Sequence, residues 1–218
     1  MLAACAALIS ISVPVARTDA PVMEPLQHLQ WGLDLIEAPA AWAYGWGAAI
    51  EYAAAHDVLV VAAASNSGFP VCENGFSGAQ GNVLCVGGVD RLDRRSSFAN
   101  HGPGLDVVAP AGVAASCGAD LPLSLYPVNF TPLCEVEGVK QPGYDYWGGT
   151  SQATAFVSGV GALLAEQGIR GAAAAERIKA SADDLGPAGW DLDFGHGRVN
   201  ARRAVTGDLN PGLPILVP

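Results

Sequence analysis

Charge is scarce in this sequence, and basic charge scarcest. Of 218 residues only 15% are Asp, Glu, Lys or Arg, with 11 basic side chains against 21 acidic ones. No basic cluster exceeds the pairs Arg94-Arg95 and Arg202-Arg203, so no surface can neutralise a run of phosphates and nucleic acid is not expected as a partner. Long apolar runs are missing too. The stretch Leu2 to Val15 is too short to cross a bilayer comfortably, so no membrane span is expected. There is no CxxC pair and no histidine close to a cysteine, which removes the usual spacing of a structural metal site, and no metal is expected. No internal repeat is visible, so a repeat architecture is not expected either.

What remains describes a folded, loop-rich protein. Half of the residues are hydrophobic, and 27 Gly with 15 Pro supply turns, a balance that suits a compact core rather than a disordered chain. The length fits one α/β domain. Residues 1–20 carry the apolar run followed by Arg17 and Asp19, with small residues for cleavage near Ala16 or Ala20; they resemble a secretory signal peptide without its basic start. Leu2-Ala3-Ala4-Cys5 looks like a lipoprotein box, but the apolar segment follows Cys5 instead of preceding it, so lipidation is not expected. Cys72, Cys85, Cys117 and Cys134 then form the mature set. Four cysteines behind an export signal suit two disulfides in a secreted protein. Nearest-neighbour pairing, Cys72 with Cys85 and Cys117 with Cys134, is the expected connectivity among the three allowed.

Ala48 to His56 is rich in helix formers and runs into the apolar stretch Asp57 to Ser65, the pattern of a helix feeding a strand buried on both faces. Asn82 to Asp90 and Leu105 to Pro110 repeat the strand pattern between turn residues. Helix alternating with buried strand predicts an α/β fold with a parallel sheet. Ala111 to Tyr146 holds prolines and cysteines without periodicity and reads as a long surface insertion. From Thr150 the small and apolar residues predict a helix packed tightly on the sheet and capped at Gly168, with two more helices over Ala172 to Asp183 and Asn200 to Val205. The domain is placed at 21–207, with the insertion at 111–146 inside it and a Pro-rich tail at 208–218.

Gly149-Thr150-Ser151 sets a serine at the start of a helix. The glycine allows close approach of a substrate. The helix N-terminus offers free N–H groups and a positive dipole end to the oxyanion that forms when a serine attacks a carbonyl. Taken alone, the triplet is equally a plain helix cap. Its surroundings decide. Gly148 to Leu164, GGTSQATAFVSGVGALL, resembles the serine-bearing helix of subtilisin-like (subtilase) serine peptidases. The strand ending at Asn66, VLVVAAASN, and the segments Gln30 to Trp42, Ser97 to Pro110 and Phe194 to Ala201 are similar to further parts of that family in the same order. The departures are Gln152 where methionine is usual, Ala155 where proline is usual, and Ser65 in place of glycine.

The resemblance implies Ser151 as nucleophile and Asn66 as a side-chain donor to the oxyanion. It implies Ala63, Ala64 and Ser65 as part of the wall around the substrate's primary side chain, which Ser65 would narrow. It also implies a doubly wound, mostly parallel sheet of the subtilisin type and a secreted serine endopeptidase acting on peptides or proteins; a monomer is expected, though no residue fixes the oligomeric state. Calcium belongs to complete members of the family, and Asp106 matches a weak cation-site position.

The family's Asp-Thr/Ser-Gly and His-Gly-Thr-His motifs do not occur. Both belong between Trp42 and Trp46, where only Ala43, Tyr44 and Gly45 stand, so several βα units of about 30 residues each are absent. His28, His56, His101 and His196 all fall in stretches that resemble non-catalytic parts of the family. Without a base a serine hydroxyl is a weak nucleophile. The loss also predicts an open sheet edge and an uncovered apolar face. The expectation is a chain of protease descent without protease activity, or else a secreted pseudoprotease that binds peptides or a partner protein through Asn66 and Ser151. A complete enzyme is expected only if the codons around Ala43 to Ala48 prove to be misread.

Overall fold

The computed structural model describes residues 46–72, 83–113, 117–118, 120–135, 138–140 and 142–208. The signal-like segment, the Gln30 to Trp42 stretch, His28, the junction at 43–45 and the tail from 209 lie outside the described residues. In chain order the elements are α1 (Trp46–Ala55), β1 (Val60–Ala63), β2 (Val83–Val89), β3 (Val107–Pro110), β4 (Leu123–Leu125), β5 (Tyr144–Tyr146), α2 (Thr150–Glu166), α3 (Gly171–Ala180) and α4 (Ala201–Thr206).

The expected parallel sheet is the one formed, in the order β1-β2-β3, with Val60 beside Val83 and Val86 beside Val107. Every residue of the central strand β2 is buried, because its alternating side chains serve two layers. Leu84 and Val86 pack with Ala153, Val157 and Leu164 of α2 and Ile178 of α3. Cys85 and Val89 join Ala64, Leu105 and Val108 on the opposite face, where Ile50 of α1 meets Val83. Such two-sided burial gives a continuous apolar run instead of an alternating one.

The strand expected at 57–65 is shorter at both ends, and left-handed backbone explains both limits. Asp57 at φ 56° closes α1, and the Val58 N–H reaches back to the Ala53 carbonyl at 3.0 Å. Ser65 at φ 89° turns the chain out of the sheet. The outer side of β3 is covered, since Val108 N–H donates to Gly197 O at 3.0 Å and Val199 N–H to Val108 O at 2.9 Å. The outer side of β1 has no strand partner among the described residues. Next to that sheet, α2 leaves Phe156 and Leu163 46% and 47% exposed. An open parallel edge and a bare apolar helix side match the expected loss of covering units.

The stretch 111–146 is more ordered than its sequence suggests. β4 and β5 pair antiparallel, Leu123 opposite Tyr146 and Leu125 opposite Tyr144. Asp145 organises them: its fully buried carboxylate accepts from the N–H groups of Leu133, Cys134 and Tyr146 at 2.7, 2.9 and 2.9 Å. Burial alone would raise this carboxyl, but the three donors outweigh it and hold it below the usual carboxylate range. The Cys117–Cys134 disulfide staples this stretch, and Cys72–Cys85 ties the chain beyond β1 to β2, the pairing expected.

Candidate active site

The chain before α2 offers the helix no side-chain cap, because Gly149 precedes it at φ 139° and ψ 160°. The missing acceptor comes from Asn66, 84 positions earlier. Its Oδ1 accepts from the Thr150 N–H at 2.9 Å and from Thr150 Oγ1 at 3.0 Å. A backbone N–H can only donate, so the atom that faces it is the amide oxygen. Two bonds to Oδ1 therefore fix the direction of the Nδ2 donor. Thr150 is itself buried, and its carbonyl accepts from Thr154 Oγ1 at 2.8 Å, which locks the first turn.

Ser151 follows on that turn with its side chain exposed, and its N–H belongs to the set for which a helix has no internal acceptor. A Cβ on Gly149 would stand 3.4 Å from Asn66 Nδ2 and 3.0 Å from Gln152 Oε1. Glycine thus keeps the amide face open as well as permitting the positive φ. An open pocket of about 240 Å³ lies against Asn66 and Gly149, walled by Phe98, Val113, Leu121 and Gly148. The free first-turn N–H groups and the positive dipole end of α2 favour negative charge at the helix start that carries Ser151.

No base accompanies them among the described residues. His56 Nδ1 lies 2.8 Å from the Tyr52 carbonyl, and its ring stacks on that tyrosine. His101 Nδ1 is buried without a partner, and at His196 it is the backbone N–H that donates to the Asp106 carbonyl, at 2.7 Å. None of these rings is hydrogen-bonded to Ser151.

The residues read as a substrate wall are divided by the fold. Ala64 is fully buried with Cys85 and Val108, and Ala63 ends β1 beside Val86. Neither they nor Ser65 line the pocket at Asn66. Of its other walls, Phe98 and Gly148 fall within recognised segments, as does the anchor Thr150, whereas Val113 and Leu121 carry no sequence signal of their own.

Ser65 holds φ 89° where the resembled family has glycine, and a Cβ in left-handed backbone costs roughly 1–2 kcal/mol. Ser65→Gly is expected to raise stability by about 1 kcal/mol, partly offset by the greater freedom of the unfolded chain. The measure is an increased urea midpoint at unchanged slope; a decrease would show that the turn holds serine without strain.

Calcium finds no donor set at Asp106. Its Oδ2 accepts from the Cys85 N–H at 2.7 Å, and Lys179 Nζ stands 3.9 Å from Oδ1. Burial pushes this carboxyl above its ordinary value despite those partners. Among the described residues no group of three His, Cys, Asp or Glu side chains could hold a metal ion.

The sequence pattern of the Subtilase family matches residues 37–197. The chain is 36% identical over 158 residues to the "Thermophilic serine proteinase" of Bacillus sp. (strain AK1), an overlap of 72% of this chain and 33% of that protein. It is 32% identical over 157 residues to "Thermitase" of Thermoactinomyces vulgaris, covering 72% of this chain and 47% of the other. Among solved structures, a lanthipeptide protease superposes with a TM-score of 0.60 at 27% identity, over 73% of this chain and 53% of that one. A protease from Pseudoalteromonas arctica gives 0.58 at 28% identity, over 73% and 45%. The chain therefore spans between a third and about half of the length of these relatives.

Proposed function

The chain belongs to the subtilase family, and from that membership we propose that it supplies the nucleophile half of a serine endopeptidase site without the general base. Ser151 is the nucleophile, Asn66 is the oxyanion donor, and the substrate is a peptide or protein laid across the cleft at Gly149. The observation that carries this reading is the pair of hydrogen bonds that the Thr150 N–H and hydroxyl donate to Asn66 Oδ1, which orients a fixed donor at the N-terminus of the helix that bears Ser151.

The chemistry then stops half way. A bound carbonyl is polarised by Asn66 Nδ2 and the helix N-terminus, but among the described residues no imidazole is hydrogen-bonded to the Ser151 hydroxyl to take its proton as it attacks. The isolated chain is accordingly a peptide binder with slow residual hydrolysis, which is also the pseudoprotease reading. Two disulfides suit a secreted protein. No helix among the described residues is long and apolar enough to cross a membrane.

Incubating the purified chain with a fluorophosphonate probe and a chromogenic peptide tests the proposal. Saturable peptide binding is expected, with no burst of product and only slow labelling of Ser151. Rapid, Ser151-dependent labelling would overturn the missing base, and absence of peptide binding would overturn the cleft.

A further inference from the structure

Outside the cleft, the most unusual surface is the β4–β5 hairpin. Leu121 to Cys134 carries no charged side chain, and much of it faces water. Because Leu123 opposes Tyr146 and Leu125 opposes Tyr144, the two-residue period puts all four on one face, opposite the buried Asp145. On that face Leu123, Leu125 and Tyr144 are 46%, 61% and 47% exposed. Soluble proteins seldom leave such a contiguous apolar strip without a use. Nor is the hairpin a loose loop. Asp145 holds it from within, the Cys117–Cys134 disulfide staples it, and Tyr126 stacks on Trp147.

The strip also has a direction. Leu121, two positions before Leu123, is a wall of the pocket at Asn66 and Gly149. The Trp147 N–H donates to the Pro122 carbonyl at 3.0 Å and the Tyr126 N–H to the Gly143 carbonyl at 2.8 Å, which extends the pairing past both ends of the named strands. Leu121, Leu123 and Leu125 therefore form one row, spaced by roughly 7 Å per pair of residues, that leads from the cleft outward. We propose that this row is a docking surface for an extended, alternately apolar segment of the same polypeptide whose backbone lies in the cleft. An extended chain has the same two-residue period, so its alternate side chains meet successive leucines. The proposal rests on the reading of the cleft as a peptide site.

Titration calorimetry on the full chain separates the two claims. One core peptide is compared with versions extended at either end by Leu-Ser-Leu-Ser or by Gly-Ser-Gly-Ser. The apolar extension at one end is expected to tighten binding about tenfold, and Leu123→Ser with Leu125→Ser is expected to remove that gain while leaving the core peptide unchanged. Leu125→Ser alone is the milder variant, and near-UV circular dichroism checks the fold. If the core peptide binds and neither extension helps, the docking surface is wrong and the cleft stands. If the core peptide does not bind, both fall. Self-association, or binding to phosphatidylcholine vesicles, that disappears in the double variant would assign the strip to a second copy or to lipid and overturn the proposal.

Discussion

Asn66→Asp is expected to lower the residual peptide hydrolysis of the isolated chain by about 10²–10³, whereas Ser151→Ala lowers it by no more than about threefold. A complete enzyme would rank the two the other way. The reason is that nucleophile and base act as a unit: once the base is gone, removing the serine costs little more. In a subtilisin, a member of this family, loss of triad residues leaves about 10³–10⁴ over water, supplied by the oxyanion hole and by binding. The cost of removing the matching asparagine is likewise taken from a subtilisin. Asn66→Asp is the informative change because the carboxylate still accepts from the Thr150 N–H and hydroxyl, so the helix keeps its cap while the oxyanion loses its donor and meets a negative charge instead. Asn66→Ala loses both, and should cost about 1 kcal/mol in stability besides. Long time courses with a chromogenic peptide, paired with thermal unfolding, read both quantities. A loss above tenfold for Ser151→Ala would mean that a base serves it after all.

The parts of this molecule that can be read from sequence are those where one local pattern has one structural cause. β2 is legible because burial on two faces demands an unbroken apolar run. The Ser151 turn is legible because a glycine, a hydroxyl residue and small helix formers stand together. The anchoring of Thr150 by Asn66 is not, since it joins residues 84 positions apart and either partner alone reads as an ordinary turn or cap. β4 and β5 are illegible for a different reason. Each is three residues long, too short to display a period, and what fixes them is the buried Asp145 and its three backbone donors. A lone aspartate among prolines gives no hint of that. The pocket walls Val113 and Leu121 come from this same stretch, so one cause hides both the hairpin and the pocket from the sequence.

Inserting, between Gly45 and Trp46, βα units that carry the Asp-Thr/Ser-Gly and His-Gly-Thr-His motifs is expected to raise kcat toward peptides by about 10⁴–10⁶. The upper bound is again a subtilisin's loss when its triad histidine is removed. The gain is expected to be this large because Thr150 already holds Asn66, and Ser151 already stands on the first turn of α2. Two accompanying changes tell a real repair from a new, unrelated activity. Ser151→Ala should now abolish the gain, so that a substitution almost silent in the isolated chain becomes the most damaging one. The added units should also pair with the outer edge of β1 and cover Phe156 and Leu163, slowing hydrogen exchange at Val60 to Ala63 and raising the unfolding temperature. Protection without activity would show that the half-site is misaligned despite its bonds. Activity without protection would show that the units act from some other surface, and that the open edge of β1 is not the place they left.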